Sequence, residues 1–292
     1  MLALGAGTGL LAQLVQSSDT AALVAALPPS THAVGTAGAC ALAFAAALTA
    51  SRRRAPPRPR SKTARNASSG DGIPAALAVE ELRRERVRFL RAKLLDLAKG
   101  LGNDALRPAA GPTEQRRAAD TTLDELLSLA LPPDAAVAAT RRAAPLEGAW
   151  ALVYTTRGTV VTRAAESNAN LLSVFDIRQV LDVTAAASKL SASNAASIRV
   201  GPSVWRLKAV GDWVEASEGS GDAEVTFTEF GIEPLELFGT PVDGAPALRV
   251  PVPQPMRRSA LFRTLYLDGK LRVAEGAQSG NRFVFVRDRQ GR

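Results

Sequence analysis

Histidine and cysteine are nearly absent from this 292-residue chain, which has one of each, His32 and Cys40. If the N-terminal segment that holds both is removed, no imidazole remains for Ser-His-Asp or Cys-His catalysis. No zinc site of the His/Cys kind and no disulfide can then form. We therefore expect no catalytic residues, no metal site and no cofactor, and any chemistry would depend on other side chains.

Acidic residues are scarce near the N-terminus, where Asp19 is the only one before residue 70, against seven lysines and arginines. The remainder of the chain is nearly balanced, so the net charge of +8 is mostly a property of this region. A basic leader is weak evidence for a nucleic-acid-binding body, and we expect no nucleic-acid partner.

Residues 1–73 have the composition of a flexible transit peptide, because they contain much Ala, Ser and Arg and little acid. The uncharged run Ala33–Ala50 is followed by Arg52 and a Pro/Arg-rich stretch. This order also fits a two-part address for a plastid with extra membranes. A retained membrane anchor is the third interpretation, since the run is borderline for the roughly 20 residues of a spanning helix.

Residues 74–145 are expected to be helical and to pack on the domain that follows. A first helix is predicted over 75–98, from a stripe at helical spacing formed by Val87, Leu90, Leu94 and Leu97. Its basic side could lie on an anionic membrane or be a solvated face of ion pairs. A second helix is predicted to begin at Thr122, with Glu125 completing a capping box. A short third helix is predicted over 134–143.

From residue 146 onward, apolar residues alternate with polar ones, which is typical of half-buried antiparallel strands. The alternating sets are Trp150, Leu152 and Tyr154; Trp205, Leu207 and Ala209; Val225 and Phe227; and Leu271 and Val273. Further strands are predicted at 177–184, 197–201, 247–251 and 282–287. About eight strands predict a closed antiparallel barrel over 146–292. Residues 283–286 are apolar on both faces, so this strand should face the interior on one side and a covering helix on the other.

Two motifs carry a resemblance to a known family. Residues 146–156 read LEGAWALVYTT and include Gly148; residues 265–273 read LYLDGKLRV and include Asp268 and Arg272. A glycine turn and the final apolar strand, with Phe283 and Phe285, follow. Over about residues 90–288 the chain resembles the plastid lipid-associated proteins, or fibrillins. The resemblance implies a mainly β, lipocalin-like barrel behind a helical N-terminal region, at thylakoids or plastoglobules, binding lipids, prenylquinones or carotenoids.

Candidate ligand contacts follow from the predicted barrel, which at eight strands either holds one small molecule or fills with its own side chains. The aromatics expected to face inward, and to contact an apolar ligand or pack the core, are Trp150, Tyr154, Trp205 and Phe227. Asp268 and Gly269 are predicted to form a turn, with Arg272 pointing outward or paired with a carboxylate. An Asp268–Arg272 ion pair beside a ligand headgroup is the alternative.

The sequence is consistent with three classes of function. The leading one is a non-catalytic protein that binds a lipid or isoprenoid, at a membrane or plastoglobule surface. The second is an accessory protein that docks on a plastid enzyme of lipid or quinone biosynthesis. The third is an enzyme using the carboxylates of Glu215, Glu218 or Asp222, which is less favoured because a Gly/Ser-rich loop would leave them solvated.

Overall fold

The computed structural model describes residues 73–107, 113–129, 146–166, 172–184, 189–215 and 222–288. The leader predicted over residues 1–73 lies outside the described residues, except for Ile73, and so does its run Ala33–Ala50. The third helix predicted over 134–143 and the loop that holds Glu218 also lie outside them.

Three α-helices lie in the described part of the chain: α1 Ile73–Leu101, α2 Glu114–Leu129 and α3 Val160–Glu166. Two 3-10 helices accompany them, Gly102–Leu106 and Gln254–Met256. The first helix therefore confirms the prediction made from its apolar stripe. Leu90 and Leu94 of that stripe are fully buried, and Val87 and Leu97 are half-buried against the same cluster.

The start predicted for the second helix is wrong. Helix α2 begins at Glu114, eight residues before Thr122, because Thr113 caps it: the Thr113 Oγ1 accepts a hydrogen bond from the Arg116 backbone N–H at 3.2 Å. Thr122 is an interior helix residue whose hydroxyl donates to the Ala118 carbonyl at 2.7 Å. The apparent capping box is therefore one turn of a continuing helix.

The described residues form ten strands with the following bounds: β1 Gly148–Thr155, β2 Leu172–Thr184, β3 Lys189–Val200, β4 Ser203–Glu215, β5 Asp222–Leu237, β6 Thr240–Pro241, β7 Leu248–Pro251, β8 Ser259–Leu267, β9 Leu271–Gly276 and β10 Asn281–Arg287. Eight of them pair antiparallel in the closed order β1-β2-β3-β4-β5-β8-β9-β10, and β10 returns to β1. The short strands β6 and β7 pair with β5 outside this ring. The predicted barrel of about eight antiparallel strands is confirmed, and the pairing of β1 with β10 closes it.

The two long helices cover one part of the outer barrel wall. Leu94 of α1 and Leu123 of α2 are fully buried in one cluster with Val284 of β10 and Val273 of β9. On the other side of β10, Phe285 joins an interior cluster. Strand β10 thus has the two apolar faces expected for it, one toward the interior and one toward the helices.

Bulges change which face of a strand a side chain occupies. In β1 the register shifts between Leu152 and Tyr154, so Leu152 faces inward but Tyr154 packs under the helices. Strand β8 shifts in the same way between Thr264 and Tyr266, and Tyr266 also packs under the helices. Simple alternation fails at both positions because each bulge adds one residue to the strand.

Candidate functional site: the barrel interior

Aromatic rings form a continuous row across the inside of the barrel. Trp213 of β4 stacks on Phe262 of β8 at 6.4 Å between ring centroids, Phe262 lies 6.0 Å from Phe283 of β10, and Phe283 lies 6.4 Å from Phe285. Trp213 and Phe285 are buried, whereas Phe262 and Phe283 keep part of their surface accessible although they face inward. The interior therefore offers an apolar surface that the protein's own side chains do not cover completely.

The guanidinium of Arg272 lies among these rings. Arg272 follows Leu271 on β9, and because Leu271 packs under the helices, Arg272 points inward, where it is 1% exposed. Its guanidinium carbon lies 5.1 Å from the Trp213 ring centroid and 5.2 Å from that of Phe285. Both rings attract the cation through their quadrupoles, but such contacts replace only part of the lost hydration.

The hydrogen bonding of Arg272 is incomplete. Nη1 donates to Oε1 of Gln179 at 2.6 Å, across the interior from β9 to β2, and the Gln179 amide donates in turn to Oδ1 of Asn194 on β3 at 2.8 Å. Nε of Arg272 is buried with no hydrogen-bond partner within the described residues. In the same part of the chain, no carboxylate forms an ion pair with this guanidinium.

Burial lowers the pKa of Arg272 to about 9. The group is therefore still protonated at neutral pH and brings a positive charge into the barrel. An uncompensated buried charge costs several kcal/mol, so the rest of the fold must offset this cost. Such an arrangement is typical of a site rather than of a core optimised for stability.

The prediction that Arg272 points outward or pairs with a carboxylate is therefore wrong. The alternating pattern of Leu271 and Val273 was read correctly, but those residues face the covering helices and not the interior, so the residue between them faces inward. The proposed ion pair with Asp268 is also absent from the ion pairs of the described residues, where Asp268 pairs with Arg91.

The turn predicted at Asp268 and Gly269 is confirmed between β8 and β9. Oδ1 of Asp268 accepts the backbone N–H groups of Lys270 and Leu271, both at 2.7 Å. Its Oδ2 accepts Nη1 of Arg91 on α1 at 2.6 Å and the Tyr266 hydroxyl at 2.7 Å. Burial opposes ionisation of this carboxyl, but these hydrogen bonds outweigh it and lower its pKa. Asp268 thus joins the hairpin to the covering helix.

Tyr154 does not face the interior, so its predicted placement among the inward aromatics is wrong. Its hydroxyl donates to Oδ1 of Asp120 on α2 at 2.6 Å, and the Arg116 guanidinium carbon lies 5.3 Å from its ring centroid. Burial and the hydrogen bond to Asp120 raise the Tyr154 pKa above its ordinary value. This tyrosine joins barrel and helix, and the β1 bulge is the reason.

The other three predicted aromatics face inward but do not come together. Phe227 lies in the same cluster as Trp213, Trp150 lies with Leu152 and Phe285, and half-buried Trp205 packs in a third cluster that includes residues of α3. Trp150 is fully buried and its indole N–H is satisfied by the Leu146 carbonyl at 2.9 Å. Ligand contact by these residues stays a prediction.

The local structure explains why a glycine stands at position 148 of the first family motif. Its φ of +119° lies in the region that disfavours side chains, and an added Cβ would lie 2.7 Å from Nη1 of Arg287. That guanidinium donates to the Glu147 carbonyl at 2.6 Å and lies 4.3 Å from the Trp150 ring centroid. The missing side chain at Gly148 therefore leaves space for the Arg287 guanidinium, which lies over the Trp150 ring.

Of the three carboxylates in the enzyme hypothesis, Asp222 is the one whose side-chain surroundings the structure describes. Asp222 forms an ion pair with Arg263 on β8 at 2.9 Å, and Glu215 ends β4.

Within the described residues, no three His, Cys, Asp or Glu side chains are grouped as a metal ion would require. In the same part of the chain, no helix has the length and hydropathy to cross a membrane.

The sequence reasoning missed four features of the interior: Trp213, Phe262, Gln179 and the inward position of Arg272. Trp213 could have been found, because it continues the alternation of Trp205, Leu207 and Ala209 along the same strand. The pairing of Gln179 with Arg272 has no sequence signal, since 93 positions separate the two residues.

A closed antiparallel barrel whose strands mostly follow one another in chain order, with an aromatic interior, defines the class of up-and-down β-barrels. The family model PAP_fibrillin matches residues 113–286, which is more than half of the chain, and the chain belongs to this family of plastid lipid-associated proteins. The family is generally non-catalytic, lipid-associated and plastid-associated. Neither a curated protein nor a solved structure matches the chain.

Proposed function

We propose that this protein is a non-catalytic lipid-binding protein of thylakoids or plastoglobules that takes the apolar part of a lipid, prenylquinone or carotenoid into its barrel. The observation that carries the proposal is the accessible surface of Phe262 and Phe283 on the inward face. Apolar burial gains roughly 25 cal/mol per Å², so a tail burying about 300 Å² gains about 7 kcal/mol before ordering costs.

Tryptophan fluorescence of the full chain tests this function. Titration with a plastoquinone analogue, a carotenoid and a galactolipid is expected to give a saturable change with at least one of them, because Trp213 stacks on Phe262. Phe262→Ala should weaken that binding about tenfold, the effect of losing roughly 1.4 kcal/mol. The matched control is Phe238→Ala, at a residue that is 83% exposed. Equal affinities for the two variants, or no saturable change with any lipid, would contradict the proposal.

The second candidate, an accessory protein that docks on a plastid enzyme of lipid or quinone biosynthesis, is favoured by a different surface. Along α1, Val79, Leu82 and Phe89 are more than half exposed, and their spacing places them near one side of the helix. Exposed apolar groups of this kind mark interaction surfaces when they are contiguous. Leu82→Lys with Phe89→Lys should remove enzyme association and leave lipid titrations unchanged; unchanged co-purification with a prenylquinone-synthesising enzyme would argue against docking through α1.

A further inference from the structure

Within the described residues, the buried charge of Arg272 in the barrel interior has no counter-charge. Arg272 is 1% exposed, its Nε has no partner in the described part of the chain, and its Nη1 donates to a neutral amide. A buried cation is ordinarily paired with a carboxylate or another anion. Here the groups that approach the guanidinium are Gln179, Trp213 and Phe285, and none of them carries a charge.

We propose that Arg272 binds the carboxylate of an apolar monocarboxylate, a long-chain fatty acid or a molecule of the same chemistry, inside the barrel. The inference rests on the proposed function and names the headgroup that the interior selects. The carboxylate receives the free Nε–H, and the tail lies along the accessible faces of Phe262 and Phe283. The ring row connects the two parts, because Phe285 lies near both Arg272 and Phe283.

A carboxylate fits this interior better than a phosphate. One guanidinium neutralises one negative charge, and a planar fork of N–H donors matches the two oxygens of a carboxylate. The side-chain amide of Gln179, which contacts Arg272, already donates to Oδ1 of Asn194 at 2.8 Å. A phosphate carrying a second charge would leave that charge buried without a partner, at a high cost in free energy.

The test compares three ligands that share one C16 chain: palmitate, hexadecanol and hexadecyl phosphate. Each is titrated into the full-length protein and followed by tryptophan fluorescence, since the Trp213 ring centroid is 5.1 Å from the guanidinium carbon. We expect palmitate to bind at least about tenfold more tightly than hexadecanol, which is the effect of about 1.4 kcal/mol.

Two variants test whether the preference for palmitate over hexadecanol depends on Arg272. Arg272→Met keeps a long side chain without charge, and should weaken palmitate binding about tenfold while hexadecanol binding changes less than about threefold. The matched control is Arg206→Met on β4, where the side chain is 42% exposed and the guanidinium lies 3.8 Å from the Glu233 carboxylate. This variant should leave both affinities unchanged.

A measurement on the wild-type protein covers the case in which Arg272→Met fails to fold. With palmitate labelled at its carboxyl carbon, the carbon-13 shift should stay that of the ionised form to lower pH when bound, because an adjacent cation lowers a carboxyl pKa. A bound carboxyl that titrates at or above its value in detergent would overturn the inference.

The three titrations distinguish a failure of the carboxylate site at Arg272 from a failure of lipid binding by the barrel, the function on which this inference rests. Binding of hexadecanol and palmitate with equal affinity overturns the carboxylate site but leaves apolar binding intact. Tighter binding of hexadecyl phosphate than of palmitate also overturns it. Absence of binding for all three ligands overturns the barrel as a container for acyl chains, and the carboxylate site with it.

Discussion

Replacing Asp268 with Ala should detach the β8–β9 hairpin from helix α1. The ionised carboxylate accepts four hydrogen bonds of 2.6–2.7 Å, from Arg91, Tyr266 and the backbone N–H groups of Lys270 and Leu271. Bonds to a charged group contribute about 1.5–3 kcal/mol each, but they are not additive. The side chain is also 26% exposed, so water replaces part of what is lost.

We therefore expect Asp268→Ala to lower the free energy of unfolding by about 3 kcal/mol. For a domain of this size that corresponds to a fall in Tm of about 6–12 °C. Urea denaturation followed by circular dichroism measures the change. The control is Glu80→Ala on α1, whose carboxylate pairs with Arg83 and Arg84 at the surface and is 40% exposed. Surface pairs of this kind contribute about 0–1 kcal/mol.

The pH dependence gives a second check on the same residue. Because the folded-state pKa of Asp268 is below the ordinary value of about 3.9, its contribution is fully present above about pH 4. It is lost as the pH falls through the lowered folded-state value. The difference in stability between wild type and Asp268→Asn should therefore shrink below pH 4. A loss under about 1 kcal/mol for Asp268→Ala at pH 7, or the same loss for Glu80→Ala, would refute this account.

Three further predictions concern packing, backbone approach and targeting. Leu94→Ala, at a fully buried position of α1, should cost about 2–5 kcal/mol by denaturant titration, whereas Leu82→Ala, 65% exposed, should change stability by less than about 0.5 kcal/mol. Gly211→Ala should destabilise by more than about 1 kcal/mol, because the new Cβ would lie 2.4 Å from the Thr226 carbonyl oxygen. The β4–β5 pairing shifts register beside Gly211, and an unchanged Tm would show that the backbone there adapts to the side chain. A fluorescent protein fused to residues 1–74 should enter a plastid, and secretion or cytosolic retention of the fusion would contradict the targeting interpretation.

The barrel could be predicted because each strand borders two different environments, and that difference appears as alternation along the chain. Trp150 and Leu152 in β1, and Leu271 and Val273 in β9, each mark a buried face correctly. Alternation does not show, however, whether the buried face of a strand points into the barrel or toward the covering helices. In β1 the face meets the interior, and in β9 it meets the covering helices. Because the sequence does not distinguish the two cases, it predicts the wrong orientation for Arg272.

Other features lay beyond any local pattern. The bulge between Leu152 and Tyr154 has no glycine or proline to mark it, so Tyr154 was placed on the wrong face. The start of α2 was hidden by Thr122, which stands three residues before Glu125 as a capping residue would. A cap is recognised by what precedes it, and Thr113 at the true start has Arg116 as its third residue, so no capping box is visible there.

The two bulges separate the chain's chromophores by location. Its two tyrosines, Tyr154 and Tyr266, both lie in the seam between helices and barrel, whereas its three tryptophans, Trp150, Trp205 and Trp213, all face inward. Burial and hydrogen bonds to aspartates raise the pKa of both tyrosines, so their ionisation is linked to opening of the seam at alkaline pH. Tyrosinate absorbance thus reports when the helices leave the wall, and tryptophan emission reports separately on what happens inside it.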